Sequence, residues 1–193
     1  MSTMLTKEMN GHPPGDLAIW IFIMAELLVF AILFAAYAIT RMNHVELFNE
    51  FQLQLNRRAA LANTIALITS SYFVVRAVSA ISRNDSRTCF RWLLAAMAMG
   101  GVFIVIKSTE FAHHFGLGIT LSTNLFYMFY LSLTFFHFMH VILGLVILAA
   151  VAYKTKKGSY SATEHTGVET AGAYWHMVDL VWLILFPLVY VMR

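Results

Sequence analysis

The chain has 193 residues, 60% of them hydrophobic and 12% charged, and its mean hydropathy is +0.70. A soluble domain carries roughly 25% charged residues, so the composition points to a polytopic membrane protein. The net charge of +3 sits in short loops, where it reports topology rather than nucleic-acid binding, and the single cysteine, Cys89, excludes an internal disulfide, a cysteine-based zinc site and an iron–sulfur cluster within one chain.

Residues 1–16 read as a polar tail, with no apolar run and cleavage site of the signal-peptide kind. Residues 17–193 read as a single all-α integral-membrane domain of five transmembrane helices. The first span is Leu17 to Thr40. Pro13, Pro14 and Gly15 stop upstream structure, and Asp16 is a suitable N-cap. Its 24 residues are apolar except Glu26. They rise about 36 Å, enough to cross a hydrocarbon core of about 30 Å. A polar loop, Arg41 to Arg58, follows.

The second span is Ala59 to Ile81. It holds Asn63, Thr64, Thr69, Ser70 and Ser71, small and hydroxyl residues that let helices approach and hydrogen-bond, with Arg76 near its far end. After the short basic loop Ser82 to Arg91, the third span is Trp92 to Phe115. Only 15 residues separate Arg91 from Lys107, so the helix is expected to run on through Lys107 and Glu110, whose side chains would snorkel to the interface. Gly100 and Gly101 are candidate points of close contact.

The fourth span, Asn124 to Tyr153, opens on the capping run Ser122–Asn124 and contains His137 and His140. Gly144 falls on the same stripe, where a neighbouring backbone is expected to approach. At 30 residues this helix must tilt or protrude. The loop Lys154 to Thr166 is polar. The fifth span, Gly167 to Met192, carries Glu169, His176 and Asp179. On a helix Glu169 and His176 lie within about 20° of each other and Asp179 about 60° from His176. Pro187 removes a donor and clashes with the Leu183 carbonyl, which predicts a kink there.

Five spans place the termini on opposite sides. Lys7, Arg83, Arg87, Arg91, Lys154, Lys156 and Lys157 fall on one side, against Arg41, Arg57, Arg58 and Arg193 on the other. The positive-inside bias predicts a cytoplasmic N-terminus and a periplasmic C-terminus, with Trp20 and Trp92 at the cytoplasmic interface.

By residue count Glu26, His137 and His176 all reach the middle or cytoplasmic half of the bilayer. A charge there costs a few kcal/mol or more, so a shared, partly neutral cluster of Glu26, His137, His140, His176 and Asp179 is expected. Glu26, His137 and His140 each have two readings. Glu26 is either a protonated structural carboxyl or a proton conductor. His137 and His140 are either metal ligands, completed by His176 and Glu26 in a membrane metalloenzyme, or hydrogen-bonding struts. Glu169 is expected to pair with Arg76 or Arg83. His113 and His114 are expected to be solvated at the outer interface. Trp175 and Trp182, seven apart, are expected to pack on one face. No helix carries the widely spaced histidines of a bis-His haem protein, and there is no P-loop or nucleophile elbow. Internal repeats of the transporter kind are also lacking, although a small proton-coupled channel using Glu26 remains a second reading.

The run Glu169-x-x-x-x-Tyr174-Trp175-His176-x-Val178-Asp179-x-Val181-Trp182 resembles the last helix of subunit III of haem–copper oxidases. His137-x-x-His140-Val141-Ile142-x-Gly144 resembles that family's penultimate helix. Glu110-Phe111, Asn63-Thr64 and Glu26-Leu27-Leu28-Val29-Phe30 match its other signatures, in order along the chain. The resemblance implies a subunit with no catalytic residues, haem, copper or other metal of its own. Such a subunit flanks a haem-containing catalytic subunit in the bacterial inner membrane, binds phospholipid in a cleft between helices, and sustains proton uptake and integrity. Glu26, Asn63, Glu110, His137, His140, Glu169, Trp175, His176 and Asp179 would form its lipid, proton or structural sites. Long members have seven helices, and this chain matches the last five. In that it is similar to the quinol oxidase subunit and to the accessory member encoded with nitric oxide reductases in denitrification, the latter slightly closer by its short loops. The two unmatched helices would remove one wall of the lipid cleft, and Phe138 stands where the family usually has glycine.

Overall fold

A computed structural model describes residues 16–192. The polar tail through Gly15, with Lys7 and the Pro13–Gly15 break, lies outside the described residues, as does Arg193. The described chain forms α1 (Leu17–Asn43), α2 (Val45–Gln52), α3 (Arg57–Ile81), α4 (Ser86–Gly116), α5 (Leu125–Lys156) and α6 (Thr166–Phe186), the last continued by a π-helical turn at Pro187–Val191. Among the described residues everything regular is helical. Five helices, all except α2, are long and apolar enough to cross a membrane.

The helix starts follow from their caps. Asp16 accepts the N–H of Ala18, Asn56 that of Ala59, Asp85 that of Thr88 and Asn124 that of Tyr127. Asp85 starts α4 six residues ahead of the expected Trp92, because the basic run after it is helical. The loop expected over Arg41 to Arg58 instead contains α2. Phe48 of α2 packs its ring 5.3 Å from Tyr37 and 5.6 Å from Phe126. One turn on, Gln52 is buried and donates from Nε2 to the Val189 carbonyl at 2.9 Å. That carbonyl belongs to the last turn of the chain's final helix, where no intrahelical donor remains.

α3 and α4 are antiparallel neighbours, joined at depth by Ser70 Oγ donating to the Ala96 carbonyl at 2.8 Å. α6 packs against α3, α5 and α1, so it is the element around which the bundle closes. Tyr174, Trp175, Trp182 and Tyr190 are all fully or nearly fully buried along it. α1 sits at the edge. It buries Ile23, Phe30 and Tyr37 alone among its described residues, a seam at seven-residue spacing.

Gly144 and Gly100 do mark a close approach, but the object that approaches is a side chain. A Cβ on Gly144 would stand 2.8 Å from the Trp175 indole, and one on Gly100 would stand 2.9 Å from the same ring. A Cβ on Gly101 would meet nothing within 4 Å, so that glycine makes no contact of the expected kind. At Pro187 the register changes. The Met192 N–H reaches the Pro187 carbonyl at 2.8 Å, five residues back, so the expected disturbance takes the form of a π turn after the proline.

Candidate functional site: the polar groups inside the bundle

The expected single cluster is resolved into separate pairs. Glu26 on α1 meets His140 on α5, with Oε2 3.0 Å from Nε2. The other ring nitrogen, Nδ1, lies 2.8 Å from the Phe136 carbonyl. A carbonyl only accepts, so Nδ1 carries a hydrogen and Nε2 faces the carboxyl with one proton between them. A hydrogen bond between the two needs one hydrogen between Oε2 and Nε2, donated by whichever group carries it. The ring of Phe30 covers His140 at 5.3 Å, and the Tyr174 hydroxyl donates to the His140 carbonyl at 3.3 Å.

His137, one turn away, is not a strut. It is completely buried, and neither ring nitrogen has a hydrogen-bond partner among the described residues. It packs as an aromatic, 5.3 Å from Trp182 and 5.7 Å from Phe103. Asn63 is likewise fully buried, with neither amide atom partnered within the described chain. The neighbouring Thr64 hydroxyl accepts the Trp182 indole N–H at 2.9 Å.

Lys107 and Glu110 do not snorkel. Lys107 is completely buried and Glu110 nearly so. Lys107 Nζ donates to Glu110 Oε2 at 3.1 Å, to the Tyr190 hydroxyl at 2.6 Å and to the Tyr130 hydroxyl at 3.3 Å. Glu110 Oε1 in turn accepts both tyrosine hydroxyls, that of Tyr190 at 3.0 Å. The ammonium also lies 5.1 Å from the ring centroids of Phe111 and Tyr130 and 5.4 Å from that of Tyr190. The result is a closed, net-neutral network inside an aromatic cage. Sequence reasoning missed Tyr130 and Tyr190, since no local pattern marks residues that arrive from other helices. Beside Glu110 lies a cavity of about 270 Å³, lined by Gln54, Asn56, His113 and Tyr127 as well as by Ile106 and Leu117. His113 is exposed as expected. His114 instead turns inward, with Nδ1 2.8 Å from the Glu110 carbonyl.

On α6 the three ionisable groups of the stripe are treated differently. Glu169 pairs with His165, one turn before it, at 3.3 Å rather than with Arg76 or Arg83. His176 Nδ1 lies 2.6 Å from the Ser71 hydroxyl of α3. Asp179 is half-buried, with Oδ1 unpartnered within the described chain. Trp175 and Trp182 pack as expected, and the Trp175 indole N–H has no partner among the described residues. His137, His140 and His176 therefore do not converge, and among the described residues no three His, Cys, Asp or Glu side chains come together in a metal-ligating group. Glu169 and His176 border an apolar groove of about 570 Å³ between α1, α3 and α6, walled by Trp20, Ile23, Val75 and Met177.

The comparisons with known proteins agree across nearly the whole chain. The family model described as cytochrome c oxidase subunit III matches residues 12–193. The cytochrome c oxidase subunit 3 of Synechocystis sp. is 37% identical over 187 residues, covering 95% of this chain and 78% of that protein. The corresponding subunit of Thermostichus vulcanus is 35% identical, covering 95% of this chain and 90% of its own length. The cytochrome bo(3) ubiquinol oxidase subunit 3 of Buchnera aphidicola is 25% identical, covering 96% and 86% respectively.

Proposed function

From the chain's membership of the cytochrome c oxidase subunit III family, we propose that it is the haem-free, non-catalytic subunit of a bacterial haem–copper respiratory complex, supporting assembly, stability and proton uptake by a haem-containing catalytic subunit. The observation that carries this reading is how the intramembrane polar groups are used. Glu26 is spent on His140, Lys107 on Glu110 and His176 on Ser71. Glu26–His140 and Ser71–His176 join helices directly, and the Lys107–Glu110 pair, within α4, is tied to its neighbours by the Tyr130 and Tyr190 hydroxyls. They are not arrayed round a substrate.

The relatives named above are oxidase subunits, which favours oxygen as the substrate of the partner. The short loops that resemble the nitric-oxide-reductase accessory member keep nitric oxide as the second reading. Consumption of each gas by the purified complex separates the two.

The remaining parts of the proposal have their own supports. Arg83 at the α3–α4 turn and Arg87 and Arg91 in the first turns of α4, with Lys154, Lys156 and Lys157 at the end of α5, favour a cytoplasmic location for that end, in the inner membrane. The groove between α1, α3 and α6 is apolar and of a size for a lipid acyl chain. Deleting the gene is the test of function. The account expects a catalytic complex that still forms haem centres but loses activity faster during turnover. Unchanged lifetime and unchanged proton uptake without the chain would overturn it.

A further inference from the structure

The cavity of about 270 Å³ beside Glu110 lies at the C-terminal end of α4, where two consecutive histidines, His113 and His114, both line it. Their settings differ. His113 is exposed, whereas His114 is only 6% exposed. Nδ1 of His114 lies 2.8 Å from the Glu110 carbonyl, one turn back. A carbonyl only accepts, so Nδ1 carries a hydrogen and, in the neutral ring, Nε2 presents a lone pair. Among the described residues Nε2 has no hydrogen-bond partner and is not sealed from solvent, so it opens on the cavity. Packing holds the ring as well, with its centroid 5.5 Å from that of Tyr130 and 6.0 Å from that of Tyr127. A buried imidazole with one nitrogen tied to a backbone carbonyl and the other free is the arrangement of a metal-binding histidine.

The second ligand stands next to it. The ring centroids of His113 and His114 are 6.0 Å apart, with their planes at 74°. Zinc–nitrogen bonds of about 2.1 Å place two imidazole centroids about 5–6 Å apart round one tetrahedral ion. The exposed His113 is free to turn the small amount this requires. The rest of the wall is already engaged. Both Glu110 oxygens are taken by Lys107, Tyr130 and Tyr190. Gln54 Oε1 accepts the Tyr127 hydroxyl at 3.2 Å, and Asn56 Oδ1 accepts the Ala59 N–H at 3.1 Å. No third His, Cys, Asp or Glu joins the two histidines in a metal-ligating group among the described residues. The chain therefore supplies two nitrogen ligands, and the cavity has room for the waters that complete four-coordination. Glu110 lines the cavity and Lys107 does not, so the carboxylate end of that pair is the one that faces a bound cation.

We propose that His113 and His114 together bind one divalent transition-metal ion, of the zinc or copper class, in this cavity. Imidazole nitrogen suits such ions, whereas magnesium and calcium prefer oxygen ligands. With two ligands from the protein the ion exchanges with solvent, unlike one held in a four-ligand structural site. The proposal rests on these two side chains and not on the function proposed above.

The test is zinc binding to the purified complex, freed of loose metal by dialysis against a chelator and titrated in a calorimeter in a non-coordinating buffer. Other histidines and other subunits also bind zinc, so the reading is the difference between wild type and variants. Wild type is expected to bind one zinc ion that His113→Ala/His114→Ala does not. Each single variant is expected to weaken that site at least about tenfold, since a ligand contributes no less than the outer-shell partners whose loss costs about 10–100-fold. His44→Ala, which removes a histidine outside the cavity, is expected to bind zinc as wild type does. The exposed His113→Ala carries the test alone if variants at the buried His114 do not assemble. Equal zinc stoichiometry and affinity in wild type and His113→Ala overturns the proposal. So does displacement of the zinc by an equal concentration of calcium, which would make the site an oxygen-ligand one.

Discussion

The indole of Trp175 lies where a side chain on Gly144 would have to be. A Cβ at that position would stand 2.8 Å from two indole carbons and 3.2 Å from the ring of Tyr174. Because Gly100 faces the same indole from α4, one side chain on α6 fills a gap left by glycines on two other helices.

Gly144→Ala should therefore destabilise the bundle by about 1–3 kcal/mol through overpacking. Thermal melting in detergent checks this, with Gly101→Ala as the control that should change little. If the clash is with the indole, Trp175→Phe should soften the effect of Gly144→Ala, giving a clear non-additive term in the double-mutant cycle.

The buried ammonium of Lys107 makes a second prediction. Lys107→Met removes the cation and leaves the Glu110 carboxylate buried with two tyrosine hydroxyls, a loss of about 3–5 kcal/mol. The neutral pair Lys107→Met/Glu110→Gln should recover much of it. A double variant no better than Lys107→Met would mean that the tyrosine network, rather than the uncompensated charge, sets the cost.

At Glu26 the prediction concerns a proton. Glu26→Gln keeps a donor for His140 Nε2 but removes the group that can exchange a proton with it. Assembly should survive, and turnover of the partner should fall several-fold or lose activity sooner. Glu26→Ala should damage assembly as well. Normal turnover with Glu26→Gln would make the carboxyl purely structural.

Asp85 gives a pH dependence with a definite sign. Its carboxyl is held below 3.8 by the hydrogen bonds from Thr88. A depressed value in the folded state means stability that is present above 3.8 and is lost as pH falls through the lower folded value. Asp85→Asn retains a capping oxygen and should lose this acid sensitivity, which melting curves between neutral and strongly acidic pH would register.

The five spans are legible in the sequence because lipid demands long apolar runs, and the caps at Asp16 and Asn124 are local. The helix α2 is not legible as a membrane element. Its eight residues, VELFNEFQ, read as a polar loop, and only the four-residue spacing of Phe48 and Gln52 hints at a buried face. Matching depths placed a partner for Glu26 on the fourth span. They could not choose between His137 and His140, which sit on the same helix three residues apart. Snorkelling was the wrong expectation for Lys107 because its partners Tyr130 and Tyr190 come from 23 and 83 residues away. The partner of Glu169 is His165, one turn back, and not a distant arginine.

The central claim is tested most directly by purifying the tagged chain in mild detergent and measuring haem and subunit composition, first as isolated and then after the chain is separated from whatever accompanies it. The account predicts a haem-containing catalytic subunit in near-stoichiometric amount before separation, with all haem remaining on that subunit afterwards. A chain that isolates alone under conditions that preserve the oxidase, or one that retains haem after separation, would contradict it.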